Sequence, residues 1–160
     1  LSFGKKAQVC GILAGPRVDE VETNCFQVSS RINSTWGGNL VDMVRFGRIL
    51  DIIEEDNLVA NADIVGDHLL SKLQKMADDH EHLSNPSGKG LFAAIDLPDS
   101  HSRDAVISQC IENGLMILAC GTNTVRFRPP LTITTDQIDE GLDILEKAYK
   151  SSLDKCPIAG

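Results

Sequence analysis

A chain of 160 residues can enclose one hydrophobic core, and 42% hydrophobic against 24% charged residues is the balance of an ordinary globular domain. A formal charge of -8, with the lysines and arginines scattered, argues against a nucleic-acid binder, and no apolar run approaches the roughly eighteen residues that a membrane-crossing helix needs. Five cysteines (Cys10, Cys25, Cys110, Cys120 and Cys156), odd in number and without C-x-x-C spacing, fit reduced thiols in a cytoplasmic compartment better than a disulfide framework or a zinc site. No signal peptide is visible. The first residue is Leu, and "LSFG" reads as the inside of a strand or loop, so a piece of a longer protein is expected.

Residues 1–39 carry no sustained period and are rich in Gly, Ser and Asn, which predicts short strands and loops. After "NSTWGGN" the period changes: Leu40, Met43, Val44, Leu50 and Ile53 fall on one helical stripe, interrupted at Asp56 and Asn57. A second helix follows from Leu58, since Ala62, Val65, Leu69, Leu73 and Met76 recur at intervals of three and four. It is expected to close in "DDHEHL", read as a solvated charge run rather than a metal cluster, and "NPSGKG" is read as a turn.

"LFAAIDL" (91–97) reads as a buried strand, "DSHSRDAVISQCIENG" as a capped helix ending at Gly114, and "LMILA" (115–119) as a strand. "TVRFR" alternates, so Val125 and Phe127 are expected on one face, Arg126 and Arg128 on the other. The T-x-x-Q spacing of Thr134 and Gln137 opens the last helix, with Ile138, Leu142, Leu145 and Tyr149 inward and a loose tail after Ser151. The interleaving describes an α/β or α+β unit with helices on a small sheet.

Three segments stand apart from packing. Lys5, in "FGKKAQVCG", lies between a glycine and an apolar piece; a lysine used as a nucleophile must shed its proton, and a surface lysine is the competing reading. "NSTWGGN" couples hydroxyls and glycines to a helix start, which suits a phosphate but equally a simple N-cap by Asn39 or Thr35. Arg126, on a short strand stopped by Pro-Pro, carries the planar fork that grips carboxylates, although an exposed strand arginine is as easy to draw.

In this order and spacing the three segments resemble the C-terminal part of the class III (omega) aminotransferases, pyridoxal-phosphate enzymes of fold type I. "GKKAQVC" is similar to the family's cofactor-lysine segment, Thr35 before "GGN" to its phosphate-binding hydroxyl, and "VRFRPP" to its carboxylate-binding segment. The resemblance covers residues 1–150 and implies the following roles. Lys5, rather than Lys6, holds pyridoxal 5'-phosphate and shuttles the proton. Thr35, with Ser34, binds the cofactor phosphate, across a homodimer with shared active sites. Arg126 clamps the oxo-acid carboxylate, and Asn33 lines the substrate pocket. The implied organisation is the end of the large cofactor-binding domain at 1–39, a connecting helix at 40–57, a small C-terminal α/β domain at 58–150 and a tail at 151–160.

Within the family the combination is most similar to the enzymes that move the ε-amino group of L-lysine to 2-oxoglutarate, a step of lysine catabolism. The 4-aminobutyrate and ornithine aminotransferases are the alternatives, and a non-catalytic α/β fragment or interaction module is the rival from another class. The aspartate, aromatic and glycine-rich parts that such a site also needs lie upstream of the lysine in the family, so the 160 residues alone are expected to bind cofactor poorly and not to turn over.

Overall fold

The computed structural model describes residues 1–7, 9–32, 35 and 37–155, of Lys6 and residues 153–155 the backbone only. The chain divides into two compact units, Leu1–Asp56 and Asn57–Gly160.

In the first unit β1 (Ser2–Phe3) pairs antiparallel with β2 (Gly11–Ile12), in the register Ser2 to Ile12 and Phe3 to Gly11, around a one-turn 3-10 helix at Lys5–Ala7. A second 3-10 turn, Pro16–Glu20, leads to the buried Asn24. Its Nδ2 donates to the Val18 and Val21 carbonyls (3.1 and 2.8 Å), and its Oδ1 accepts from the Phe26 amide at 2.9 Å, so one side chain satisfies a whole irregular segment. Helix α1 (Leu40–Glu55) starts at Asn39, whose side chain accepts from the Val41 amide at 3.0 Å. Its expected stripe forms as a helix face but is not buried: Leu40 and Val44 are each 75% exposed. Two-residue strands offer little surface to cover a sixteen-residue helix, and Phe46 finds one partner, the Phe3 ring at 5.9 Å.

Asn57, between the two helical patterns, adopts a left-handed backbone (φ 51°), which Asn tolerates better than most residues and which no α-helix continues through. Helix α2 (Leu58–Asp79) then opens the second unit, followed by β3 (Ser84–Lys89), β4 (Phe92–Asp96), α3 (Ser100–Glu112), β5 (Leu118–Cys120), β6 (Thr124–Phe127) and α4 (Thr135–Lys155). The sheet runs β3-β4-β6-β5, antiparallel throughout. Ala93, Ile95 and Val125 point from it into a core completed by Leu69, Leu73 and Val106 of the helices and by Leu145 and Tyr149 of α4. On the opposite face Phe92 and Leu118 stay more than half exposed.

Three expectations need correction. "NPSGKG" is not a turn but most of β3, an edge strand with a register shift between Ser84 and Ser87 that absorbs Pro86. An edge position removes the need for the proline's missing donor, and the local turn chemistry is overruled by pairing with β4. The strand expected at 115–119 forms three residues later, opposite Thr124–Arg126. The last helix does open with its capping box, the Thr134 amide donating to Gln137 Oε1 at 3.1 Å and the Gln137 amide to Thr134 Oγ1 at 3.3 Å, but it continues past Ser151 to Lys155. Residues 156–160 lie outside the described residues.

Candidate active site

Lys5 sits at the head of the loop joining β1 and β2, exposed, with φ 53°. A left-handed lysine costs energy that its surroundings must impose. A Cβ on Gly11 would meet the Phe3 ring at 2.3 Å, and one on Gly4 would lie 3.1 Å from Cys10 Sγ. Glycine at both positions lets the strands close beneath the loop.

Thr35 is exposed and precedes the Gly37–Gly38 turn, where Gly38 takes φ 75° in open space, a Cβ there meeting nothing within 4 Å, directly before the Asn39 cap. A cavity of about 430 Å³ is walled by Phe3, Cys10 and Gly11 of the β1–β2 hairpin and by Ile32, Gly37 and Gly38, but neither Lys5 nor Thr35 lines it. Asn33 and Ser34 lie outside the described residues, as does the side chain of Lys6.

Arg126 belongs to the second unit. In register it stands between Ala94 of β4 and Leu118 of β5. Among the described residues its buried Nε has no hydrogen-bond partner. Leaving a buried donor unmet costs about 1–3 kcal/mol, and more in a charged group, so the arrangement is costly unless something else accepts the bond. The same guanidinium borders a cavity of about 220 Å³ with a largely apolar wall that includes Leu118, Phe127, Ile133, Ile138 and Leu142. Arg128, two residues on, is exposed and lies 6.0 Å above the Phe92 ring, a surface cation–π contact. Arg128 also lines that cavity, so what sets the two arginines of "VRFR" apart is that, among the described residues, Arg126 has a buried donor without a partner.

Sequence reasoning missed the support around this strand. Arg103 of α3 donates to the Gly121 and Thr122 carbonyls in the hairpin that leads into β6, a contact spanning eighteen and nineteen residues that no local pattern announces. It also read His80 within a solvated run. His80 instead bonds Glu146 Oε1 at 3.2 Å and packs edge-on to Tyr149, whereas Glu81 and His82 are exposed.

A family model described as aminotransferase class-III matches residues 3–149. The L-lysine-epsilon aminotransferase of Amycolatopsis lactamdurans is 47% identical over 153 residues, which cover 94% of this chain and 34% of that protein. A probable mitochondrial 4-aminobutyrate aminotransferase of Caenorhabditis elegans is 30% identical, over 94% of this chain and 30% of the relative. Among solved structures, a lysine aminotransferase from M. tuberculosis in the internal aldimine form matches with a TM-score of 0.89 and 46% identity, covering 94% of this chain and 35% of that one. The chain therefore spans about a third of the length of the relatives it matches.

Proposed function

Because the chain belongs to the class-III aminotransferases, we propose that it is the C-terminal portion of an enzyme that transfers the ε-amino group of L-lysine to 2-oxoglutarate. The observation that carries the chemistry is Arg126, a permanent cation with an unmet buried Nε beside an apolar cavity, the environment in which a carboxylate is bound by two parallel hydrogen bonds. Lysine ranks above other donors because the L-lysine-epsilon aminotransferase is 47% identical and the probable 4-aminobutyrate aminotransferase 30%. The 4-aminobutyrate and ornithine readings stay second.

The donor set fits pyridoxal 5'-phosphate: an exposed amine held on strained backbone at Lys5, and a hydroxyl at Thr35 before a glycine turn and a capped helix. When bound, this group supplies an aldehyde that takes up the amino group and a ring that draws electrons from the reacting carbon. Lys5 Nζ would bond that aldehyde, and once displaced by the amino donor would act as general base at the donor's ε-carbon. Thr35, with Ser34, would hold the phosphate across a homodimer, and Asn33 would line the donor side. Arg126 would orient 2-oxoglutarate by its carboxylate, so that the oxo carbon meets the amino group in a fixed geometry. The odd cysteine count without paired spacing supports a cytoplasmic setting.

Two experiments on the complete enzyme test the proposal. Borohydride reduction should trap the cofactor on the peptide containing Lys5, and Lys5→Ala should abolish the label; label on Lys6 or none at all refutes the assignment, and none also favours a non-catalytic module. A donor screen with lysine, ornithine and 4-aminobutyrate against 2-oxoglutarate should rank lysine first.

A further inference from the structure

The strand that carries Arg126 to the edge of its cavity is only four residues long. Its entry is braced from two sides. On one side, Asn123 Nδ2 donates to the Leu97 carbonyl, the Leu97 amide returns a bond to the Asn123 carbonyl at 3.0 Å, and Thr124 Oγ1 donates to Asp96 Oδ1 at 2.5 Å. On the other, Arg103 reaches from the first turn of α3: its Nη1 donates to the carbonyls of Thr122 at 2.6 Å and Gly121 at 3.1 Å. The Arg103 side chain is 11% exposed, and its Nε and Nη2 are both held by Asp104 Oδ1 at 2.8 Å.

From this cross-brace we infer that Arg103 is a positioning residue for the oxo-acid step, fixing the β5–β6 hairpin so that Arg126 presents Nε and one terminal nitrogen to the carboxylate. The inference rests on the reading of Arg126 as the carboxylate clamp. The hairpin contains Gly121 at φ 53°, so its backbone has freedom that a side-chain anchor must remove. Nη1 bonds two successive carbonyls while Nε and Nη2 are fixed on Asp104, so the rigid guanidinium holds its donor in place in a way that a flexible ammonium does not. Arg126 follows Thr124 by two positions along β6, close enough for a shift of the hairpin to be passed along the strand rather than absorbed. Misplacement by about 1 Å at a reacting group can cost on the order of a hundredfold, so a fraction of that displacement is measurable.

The test uses the complete enzyme and glutarate, a dicarboxylate that binds like the oxo acid but cannot be transaminated, alongside single-turnover rates of the two half-reactions. Arg103→Met should weaken glutarate binding about tenfold and raise the KM for 2-oxoglutarate by a similar factor, while the lysine half-reaction stays within about twofold. Arg103→Lys, which keeps one donor for the Thr122 carbonyl, should fall between. Should the Met variant fail to fold, the Lys variant carries the same comparison. Equal slowing of both half-reactions, or unchanged glutarate binding in Arg103→Lys and Arg103→Met, overturns the inference. Arg126→Lys measured in parallel separates the two ideas. If it weakens glutarate binding and the Arg103 variants do not, only the positioning role falls, whereas if Arg126→Lys also has no effect, the clamp reading falls and the positioning role with it.

Discussion

Gly66, midway along α2, packs directly on the backbone of Gly90 in the β3–β4 turn: a Cβ at position 66 would lie 2.3 Å from the Gly90 carbonyl carbon and 2.4 Å from its oxygen. Neither atom belongs to a side chain that can swing aside. Gly90 itself has φ 53°, so the turn cannot retreat without leaving the conformation that closes the hairpin. Gly66→Ala therefore gains helix propensity yet should destabilise the second unit by on the order of 3 kcal/mol, read as a lower urea midpoint. Gly47→Ala in α1, where nothing lies within 4 Å, is the control and should not destabilise.

The Thr134–Gln137 box closes both ends of one exchange at the start of α4. Thr134→Ala removes the acceptor for the Gln137 amide and should cost about 1 kcal/mol, with Thr134→Ser restoring most of it.

Glu146 joins α4 to α2. Lys150 Nζ at 2.7 Å, and then His80 Nε2 at 3.2 Å, hold its carboxyl below the ordinary value of 4.5. A carboxyl whose folded pKa is depressed contributes stability that is present above its unfolded value and lost as pH falls through the lower folded one. Glu146→Gln should thus lower the urea midpoint near neutrality, and the gap to the parent should close as pH falls below the ordinary glutamate value. A gap independent of pH would refute the ion-pair account.

Burial pushes the Cys110 thiol up to about 11. Because the thiolate is the reactive form, Cys110 should resist iodoacetamide in the native protein at mildly alkaline pH and label readily in denaturant, as mapped by peptide mass spectrometry.

Arg126→Met keeps the bulk of the side chain and removes the fork. Loss of kcat/KM toward 2-oxoglutarate should be on the order of a hundredfold, about 3 kcal/mol of charge-assisted hydrogen bonding, with the lysine half-reaction much less affected.

Sequence patterning carried far in this chain where its signals are local. The helix periods of α2 and α4, the Asn39 and Thr134 caps and the break at Asn57 depend on residues within a few positions of one another, and each appears where the pattern predicts. The three segments around Lys5, Thr35 and Arg126 carry the family resemblance for a related reason: each is short and contiguous, so its residue order can be compared without knowledge of the fold.

What failed did so where a distant partner decides. Read alone, Pro86 and Gly88 specify a turn, but β4 supplies the hydrogen bonds that make their segment an edge strand. His80 looked solvated until α4 brought Glu146 to it across 66 residues of chain. In the same way, the amino-acid order alone established the helices, their caps and the kinds of group available for chemistry, since these follow from backbone geometry and side-chain type. Only tertiary packing decided which of two neighbouring arginines has a buried donor without a partner, and which third arginine braces its strand, because burial and hydrogen-bond satisfaction are properties of what surrounds a residue rather than of the residue itself.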